Sequence, residues 1–415
     1  MSAAGQHWTA PLRVPAFRYQ FLAQATSIFG SMLSPVALSL GVLSLTRSAH
    51  DYSLVLVASS VPTVLFLLVG GVWADRLPRH KVMVVTNLVS AAAQAAIGIM
   101  LVTGAFHLWI AVLAQACTGT ALAFYFPSVN GLTAQVVPDE LLQPANALLS
   151  LVRSIAGSLG PLVASVLAVS GDAGVALLID AFTFLVGGWL LSRIDVRPAP
   201  RTDRTSFVAD LAAGFREVIT RPWVWSTILG FMVGQLAQAV FLVVGPLLLL
   251  QRAGGALIWG VTVAAMSVGQ IVGDALALRV RPRRPLVFCR LVDLLGAPVL
   301  FVLAVRAPSW VVIVAAVPAG IAVTLPDSLW FTVLQRQLAP DALSRVSSYD
   351  WLGSLSLRPI GYFSGGFLAT VVGAAPLLLG AGTLYLATKL LTLLPADVRT
   401  ITLSSERVDS TAVPE

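Results

Sequence analysis

Residues 70–81 read GGVWADRLPRHK. Asp75, Arg76, Arg79, His80 and Lys81 crowd together here, in a chain that is 57% hydrophobic and only 11% charged. On both sides the sequence turns apolar for about 20 residues, the helix length that crosses roughly 30 Å of hydrocarbon. The charge therefore marks a short loop at a membrane face, between two spanning helices. Repeating that reading along the chain gives the fold.

Apolar runs broken by Gly, Pro and charge place spans at 17–44, 51–73, 82–103, 107–134, 145–169, 174–192, 224–250, 257–279, 286–304, 309–335, 346–372 and 375–394. Backbone groups in lipid must be bonded within their own segment, and strand-like alternation is absent, so the spans are helices. The expectation is an all-α membrane protein with twelve transmembrane helices in two six-helix bundles. The lead-in MSAAGQHWTAPLRVPAFRYQ is polar and basic, and the apolar run after it is too long for a signal-peptide core. Cys117 and Cys289 both lie in apolar segments and read as small core residues, not as a disulfide framework.

The formal charge of +7 has a simpler source than nucleic acid. Of the 26 Lys and Arg, only Arg47, Arg252 and Arg306 fall in the loops on one side, and Arg153 and Arg358 fall within spans. The others gather in loops and tails of the opposite side. By the positive-inside rule that side is cytoplasmic and holds both termini. The halves 1–192 and 223–394 are joined by a polar linker, 193–222. In it Phe207, Leu211, Phe215 and Ile219 recur at helical spacing and predict an amphipathic helix on the membrane surface. The polar tail, 395–415, is expected to be disordered.

Two stretches echo each other: AQVVPDELLQPANALLSLVRSIAGSLGP at 134–161 and LQRQLAPDALSRVSSYDWLGSLSLRPIG at 334–361. Each carries Gln, then a Pro-Asp turn and a Leu, ahead of a span with a Pro midway. The basic loops RLPRHK and RVRPRRP also correspond. A duplicated six-span unit accounts for both, and parallel repeats of this kind are typical of transporters with a substrate site near mid-membrane.

With that context, Gly71-x-x-x-Asp75-Arg76-x-x-Arg79 resembles the loop 2–3 signature of the major facilitator superfamily. Pro78 stands where that signature has Gly. Physically the motif suits a gate. Gly71 admits close helix approach. Asp75 can face the positive N-terminus of a helix in the other half. Arg76 and Arg79 can pair with carboxylates such as Asp139 and Glu140. Arg345 heads the matching second-half helix and completes the candidate gate. The segments FRYQFLAQATSIFGSMLSPVALSLGVLSLT, FYFPSVNGLTAQVVPDELLQPANAL, LIDAFTF and DLAAGFREVITRPW extend the resemblance over nearly the whole chain. They are similar to the macrolide-efflux and siderophore-exporter branch, the transmembrane secretion effectors. Departures from the pattern are Ser31, where that branch often has Asp, and Gln115, where drug:proton antiporters carry Arg.

The resemblance implies that spans one, four, seven and ten line a central cavity. Those spans carry polar residues at helical spacing: Gln24, Ser27 and Ser31 in span one, Gln115 in span four, Gln235 and Gln238 in span seven, and Asp327 in span ten. Interhelical hydrogen bonding is the competing role for each hydroxyl or amide. Ionisable residues within the bilayer are costly and mark function. Asp327 is the candidate proton or cation contact, and Arg358 a counter-charge or anion contact. Arg153, Gly157, Gly160 and Pro161 in span five, with Pro359 and Gly361 in span eleven, are candidate packing and hinge positions. Asp180 reads as structural, and Arg290 and Asp293, three apart, as neutralising each other.

His7, His50, His80 and His107 lie in termini or loops, and there is no H-E-x-x-H, cysteine cluster, P-loop or G-x-G-x-x-G. No enzyme activity, metal, cofactor or nucleic-acid partner is expected. The resemblance implies a secondary active exporter of a small amphipathic compound in a bacterial inner membrane, with lipid around it, working by alternating access and proton antiport. An uptake symporter of the same fold, or a non-transporting receptor or scaffold, are the alternatives.

Overall fold

A computed structural model of the chain describes residues 9–195, 214–338 and 340–402; for some helical positions, 71–76, 139 and 345 among them, it describes the backbone path alone. The first half folds as α1 (Pro15–Thr46), α2 (Ala49–Arg76), α3 (Arg79–Thr103), α4 (Leu108–Val136), α5 (Leu142–Val169) and α6 (Ala173–Leu191). The second continues as α7 (Pro222–Leu249), α8 (Gly255–Arg279), α9 (Pro285–Asp293), α10 (Pro298–Ala304), α11 (Ser309–Gln337), α12 (Pro340–Ser356), α13 (Arg358–Val371), α14 (Ala374–Leu391) and the short α15 (Ala396–Thr400). Among the described residues, 11 helical segments are long and apolar enough to cross a membrane.

Two spans expected to be single helices are broken. Span nine is α9 and α10, joined by a 3-10 turn, Leu294–Gly296. Pro298 has no N–H to continue the ladder, so the chain restarts there with Pro in its first turn. Span eleven is α12 and α13. Pro359 cannot donate within the ladder, and the next regular bond runs from Gly361 N to Leu357 O at 2.9 Å. The pieces are 17 and 14 residues long, which is why this span falls short of a continuous crossing helix. Pro161, by contrast, sits inside an unbroken α5.

The described residues form two compact units. The first comprises Met1–Arg201, Leu242–Ala264 and Tyr362–Ala374. In it α6 packs along α1 and α3, and α2 along α4. The α2–α4 crossing is close because Gly70 and Gly119 carry no Cβ. One added at Gly70 would overlap the Ala123 carbonyl, and one at Gly119 that of Ser59. The unit also takes in parts of later helices. Trp259 Nε1 of α8 donates to Ser39 Oγ of α1 at 3.1 Å, and Gly366 of α13 lies over Ser53 of α2. Compactness therefore does not follow the expected boundary at the linker.

The second unit comprises Thr202–Phe241, Ala265–Gly361 and Ala375–Glu415. Its α8–α11 crossing repeats the small-residue device: a Cβ at Gly269 would overlap Val317 O, and one at Gly320 would overlap Met266 O. These are the second and fourth spans of the second half, as α2 and α4 are of the first, so the duplication is visible in packing. Trp223 and Phe231 set their rings edge-on to Trp330, with centroids 5.5 and 6.2 Å away.

One expectation needs correction here. Residues 396–400 of the tail form α15, with Val398 fully buried in the cluster that holds Leu334, Leu338 and Trp330; 403–415 lie outside the described residues. In the linker, Phe207 and Leu211 lie outside the described residues. Phe215 and Ile219 are exposed while Val218 packs into the unit. The Phe215 ring nevertheless stands 6.0 Å from that of Tyr349.

Candidate functional site

The second unit encloses a cavity of about 250 Å³. Helix α7 supplies Gln235 and Gln238, α11 supplies Thr324 and Asp327, and α12 supplies Asp350 and Trp351. Phe231, Phe241, Phe331 and aliphatic side chains make the remaining wall largely apolar. At one end stand Asp293, Tyr385 and Lys389.

That end is built around the break in span nine. Asp293 closes α9, and its backbone carbonyl, released from the helical ladder, accepts from Tyr385 Oη at 2.7 Å. Asp293 Oδ2 accepts from Arg290 Nη1 at 3.0 Å and from Lys389 Nζ at 2.9 Å. Arg290 Nη2 donates in turn to Thr227 Oγ1 of α7 at 2.7 Å. Both cations also face the Phe231 ring, at 5.9 Å for Arg290 and 5.2 Å for Lys389. Gly230 and Gly234 of α7 also face the cluster, at ordinary contact distance. All three side chains are 1–2% exposed. Two cations thus share one carboxylate in a place without bulk water.

Two further carboxylates line the cavity. Asp350 Oδ2 accepts from Trp330 Nε1 at 3.0 Å and Oδ1 from Ser354 Oγ at 3.4 Å. Asp327 opens onto the cavity and has no ion pair or hydrogen bond among the described residues. The cavity therefore combines aromatic surface with the Lys389–Asp293 ion pair and two further carboxylates.

Of the sequence-predicted cavity residues, Gln235, Gln238 and Asp327 line this space. Gln24, Ser27, Ser31 and Gln115 belong to the first unit and do not. Gln24, Ser27 and Gln115 are buried, and Ser27 Oγ donates to Thr183 O of α6 at 3.5 Å. On the span-one stripe Gln20 Nε2 likewise donates to Thr133 Oγ1 at 2.6 Å. Two members of this stripe thus bond neighbouring helices within the first unit. Arg358 begins α13, is half-buried and engaged, and is not on the cavity wall.

Among the gate candidates, the side chains of Gly71, Asp75, Arg76, Asp139 and Arg345 lie outside the described residues. The Arg79 guanidinium lies against Gly131 of α4, where any Cβ would overlap it, and Glu140 is exposed. Among the hinge candidates, Gly160 lets α5 approach α1 at Met32, and Gly361 lets α13 approach α7 at Leu236 and Ala239. Gly157 is buried and Arg153 exposed.

Sequence reasoning missed Lys389, and with it the cluster. Arg290 and Asp293 at i, i+3 looked self-sufficient, and Lys389 looked like part of a basic tail. The available signal was a lysine followed by Leu390 and Leu391, inside an apolar span and not after it. Asp350 looked like a helix N-terminal acid, but α12 starts earlier, at Pro340, and carries it onto the cavity wall.

An all-α chain of membrane-crossing segments, repeated in two halves and holding ionisable groups around an internal cavity, defines a membrane transporter. The chain belongs to the Major Facilitator Superfamily, whose profile matches residues 20–356. It is 22% identical to macrolide efflux protein A of Streptococcus pyogenes, over 88% of this chain and 91% of that protein. It is 28% identical to the enterobactin exporter EntS of Salmonella typhi, over 80% of each. Among solved structures it resembles a bacterial homolog of the human lysosomal transporter Spinster in its inward-facing, unoccupied conformation. There the TM-score is 0.66 at 16% identity, covering 94% of this chain and 96% of that one. It also resembles a POT family transporter in complex with 5-aminolevulinic acid, with TM-score 0.71 at 12% identity, covering 91% and 95%. At these identities the likeness concerns the fold.

Proposed function

We propose that this chain is a secondary active exporter that carries a small amphipathic organic compound out of the bacterial cytoplasm by alternating access and proton antiport. The observation that carries the reading is the cavity with its split charge. A protein that only anchors or signals has no use for three carboxylates and a lysine lining a largely apolar space inside a membrane. The direction of transport rests on the relatives, a macrolide efflux protein and an enterobactin exporter. The distribution of Lys and Arg supports both termini in the cytoplasm. The loop of Asp75, Arg76 and Arg79, with Asp139, Glu140 and Arg345, is the proposed latch of the cytoplasmic side.

The test is accumulation of a macrolide antibiotic and of a catecholate siderophore in cells with and without the protein, beside an untargeted comparison of the medium. Lower cellular content of at least one compound is expected, with the effect lost in Asp327→Asn. Higher content identifies an uptake symporter. No difference across the compounds and the untargeted comparison refutes transport and leaves a receptor or scaffold.

A further inference from the structure

The first unit holds an ionisable group that the cavity does not use. Asp180, on α6, is 0% exposed. Ser34 Oγ of α1 donates to its Oδ2, and Ser34 Oγ accepts in turn from Gln94 Nε2 of α3 at 3.0 Å. Its other oxygen, Oδ1, has no partner among the described residues. It lies against Gly30 of α1, beside Thr183 Oγ1. No charged or titratable side chain from α1, α3, α5 or α6 faces it among the described residues; what surrounds it are the hydroxyls of Ser34 and Thr183. A carboxylate without a counter-ion is heavily penalised in such a place, whereas a carboxyl carrying a proton is not.

The route to it is equally specific. Helix α1 presents Gln20, Gln24, Ser27 and Ser34 on one face, α3 presents Asn87, Ser90 and Gln94, and α6 presents Asp180, Thr183 and Gly187. These faces meet. At Gly187 the missing Cβ leaves room shared by Ser27 Oγ and Asn87 Nδ2, and at Gly30 by Thr183 Oγ1 and Asp180 Oδ1. Ser34 and Thr183 are half-buried and the rest of the seam is buried, yet Gln20 Oε1, Gln24 Nε2, Asn87 Nδ2 and Gln94 Oε1 lack hydrogen-bond partners among the described residues. Structural glue would satisfy its own polar atoms. Orphaned donors and acceptors on both α1 and α3, beside a seam that runs about 21 Å along α1 from Gln20 to Ser34, are what a file of internal water needs.

We propose that Asp180 is a proton-binding site, loaded through the hydrated polar seam of α1, α3 and α6 from the end near Gln20. A proton from bulk water passes along the seam to Asp180 Oδ1, turning the carboxylate into a carboxyl, and leaves by the same bonds in reverse. Ser34 keeps its bond to Oδ2 in both states. The proposal deepens the proton-coupled reading above, but it concerns proton binding alone and needs no transported compound for its test.

The experiment is pH-jump infrared difference spectroscopy on the full chain in liposomes, read at the C=O stretch of protonated carboxyl groups. Wild type and Asp327→Asn are expected to show the band from Asp180. It is expected to disappear in Asp180→Asn and to move in frequency in Asp180→Glu, which also serves if the Asn variant does not fold. Its shift on transfer to D2O is expected to slow by about tenfold or more in Asn87→Leu, the effect of one lost relay bond on a transfer barrier. A band unchanged in folded Asp180→Asn, unmoved in Asp180→Glu, or exchanging at the wild-type rate in Asn87→Leu overturns the proposal. Absent export with these signatures intact counts against the exporter reading and leaves the proton site standing.

Discussion

Replacing Asp293 by Asn changes almost no volume but removes the carboxylate shared by Arg290 and Lys389. In the native protein those contacts are 3.0 and 2.9 Å long, in a setting 1–2% exposed. Removing one member of a buried pair costs about 3–5 kcal/mol, because the charge left behind is neither solvated nor paired. Here two cations are left, with Thr227 as the nearest remaining acceptor of Arg290, so Asp293→Asn belongs at the upper end of that range. Lys389→Met is different. It forfeits one charge-assisted bond of about 1.5–3 kcal/mol, but it also removes the cost of burying an ammonium and leaves Arg290 and Asp293 as a matched pair. Its net effect is therefore smaller. The double variant strands a single cation and is expected to be more stable than Asp293→Asn alone. Unfolding of the purified protein in detergent, for the two single variants and the double, closes the cycle. Effects that add within about 0.5 kcal/mol show the groups to be independent and refute the shared-carboxylate account. So does an Asp293→Asn variant that loses less than about 1 kcal/mol.

Three further outcomes are expected. Gly30→Ala drives a methyl group into Thr183 Oγ1 and Asp180, so it is expected to destabilise by about 1–3 kcal/mol. Gly380→Ala on α14, where nothing lies within 4 Å, is expected to be neutral or slightly stabilising in the same unfolding assay. For orientation, in a Cys117→Ser background, a membrane-impermeant thiol reagent applied to intact cells is expected to label Gly104→Cys and to spare Arg283→Cys. The reverse pattern inverts the topology.

The architecture was legible because each span announces itself by length and hydropathy, and the helix ends observed fall within a few residues of those expected. The two breaks were legible only as Pro and Gly. A proline such as Pro161 is absorbed in a continuous helix while Pro298 and Pro359 interrupt one, and that difference depends on what neighbouring helices offer the freed carbonyl. At the break in span nine Ala297 N turns to Leu294 O, and Asp293 O accepts from Tyr385, which lies 92 residues further along the chain. The charged cluster was half legible for the same reason: i, i+3 spacing reveals Arg290 with Asp293, but no local pattern brings Lys389 to them. The polar stripe of α1 was recognised, and its direction was not, because a helix alone does not say whether its polar face meets water or a polar face of another helix. The matching faces of α3 and α6 decide that.

The two units place ionisable groups out of water by opposite means, and the means set what each can do. Around Asp293 charge is met with charge, and neutralising the shared carboxylate strands both cations. Such a cluster holds geometry: it ties α9, α14 and α7 together at the head of the cavity and fixes where the cation of Lys389 stands. Around Asp180 the partners are neutral hydroxyls and amides. Gaining or losing one proton there rearranges a few weak bonds and strands no counter-charge. A carrier that cycles needs both kinds of site, a rigid one to recognise and a yielding one to switch. On this argument, variants of Lys389 alter which compounds are carried, whereas variants of Asp180 alter how transport responds to pH. A Lys389→Met protein that keeps its compound preference while losing its pH response reverses that assignment.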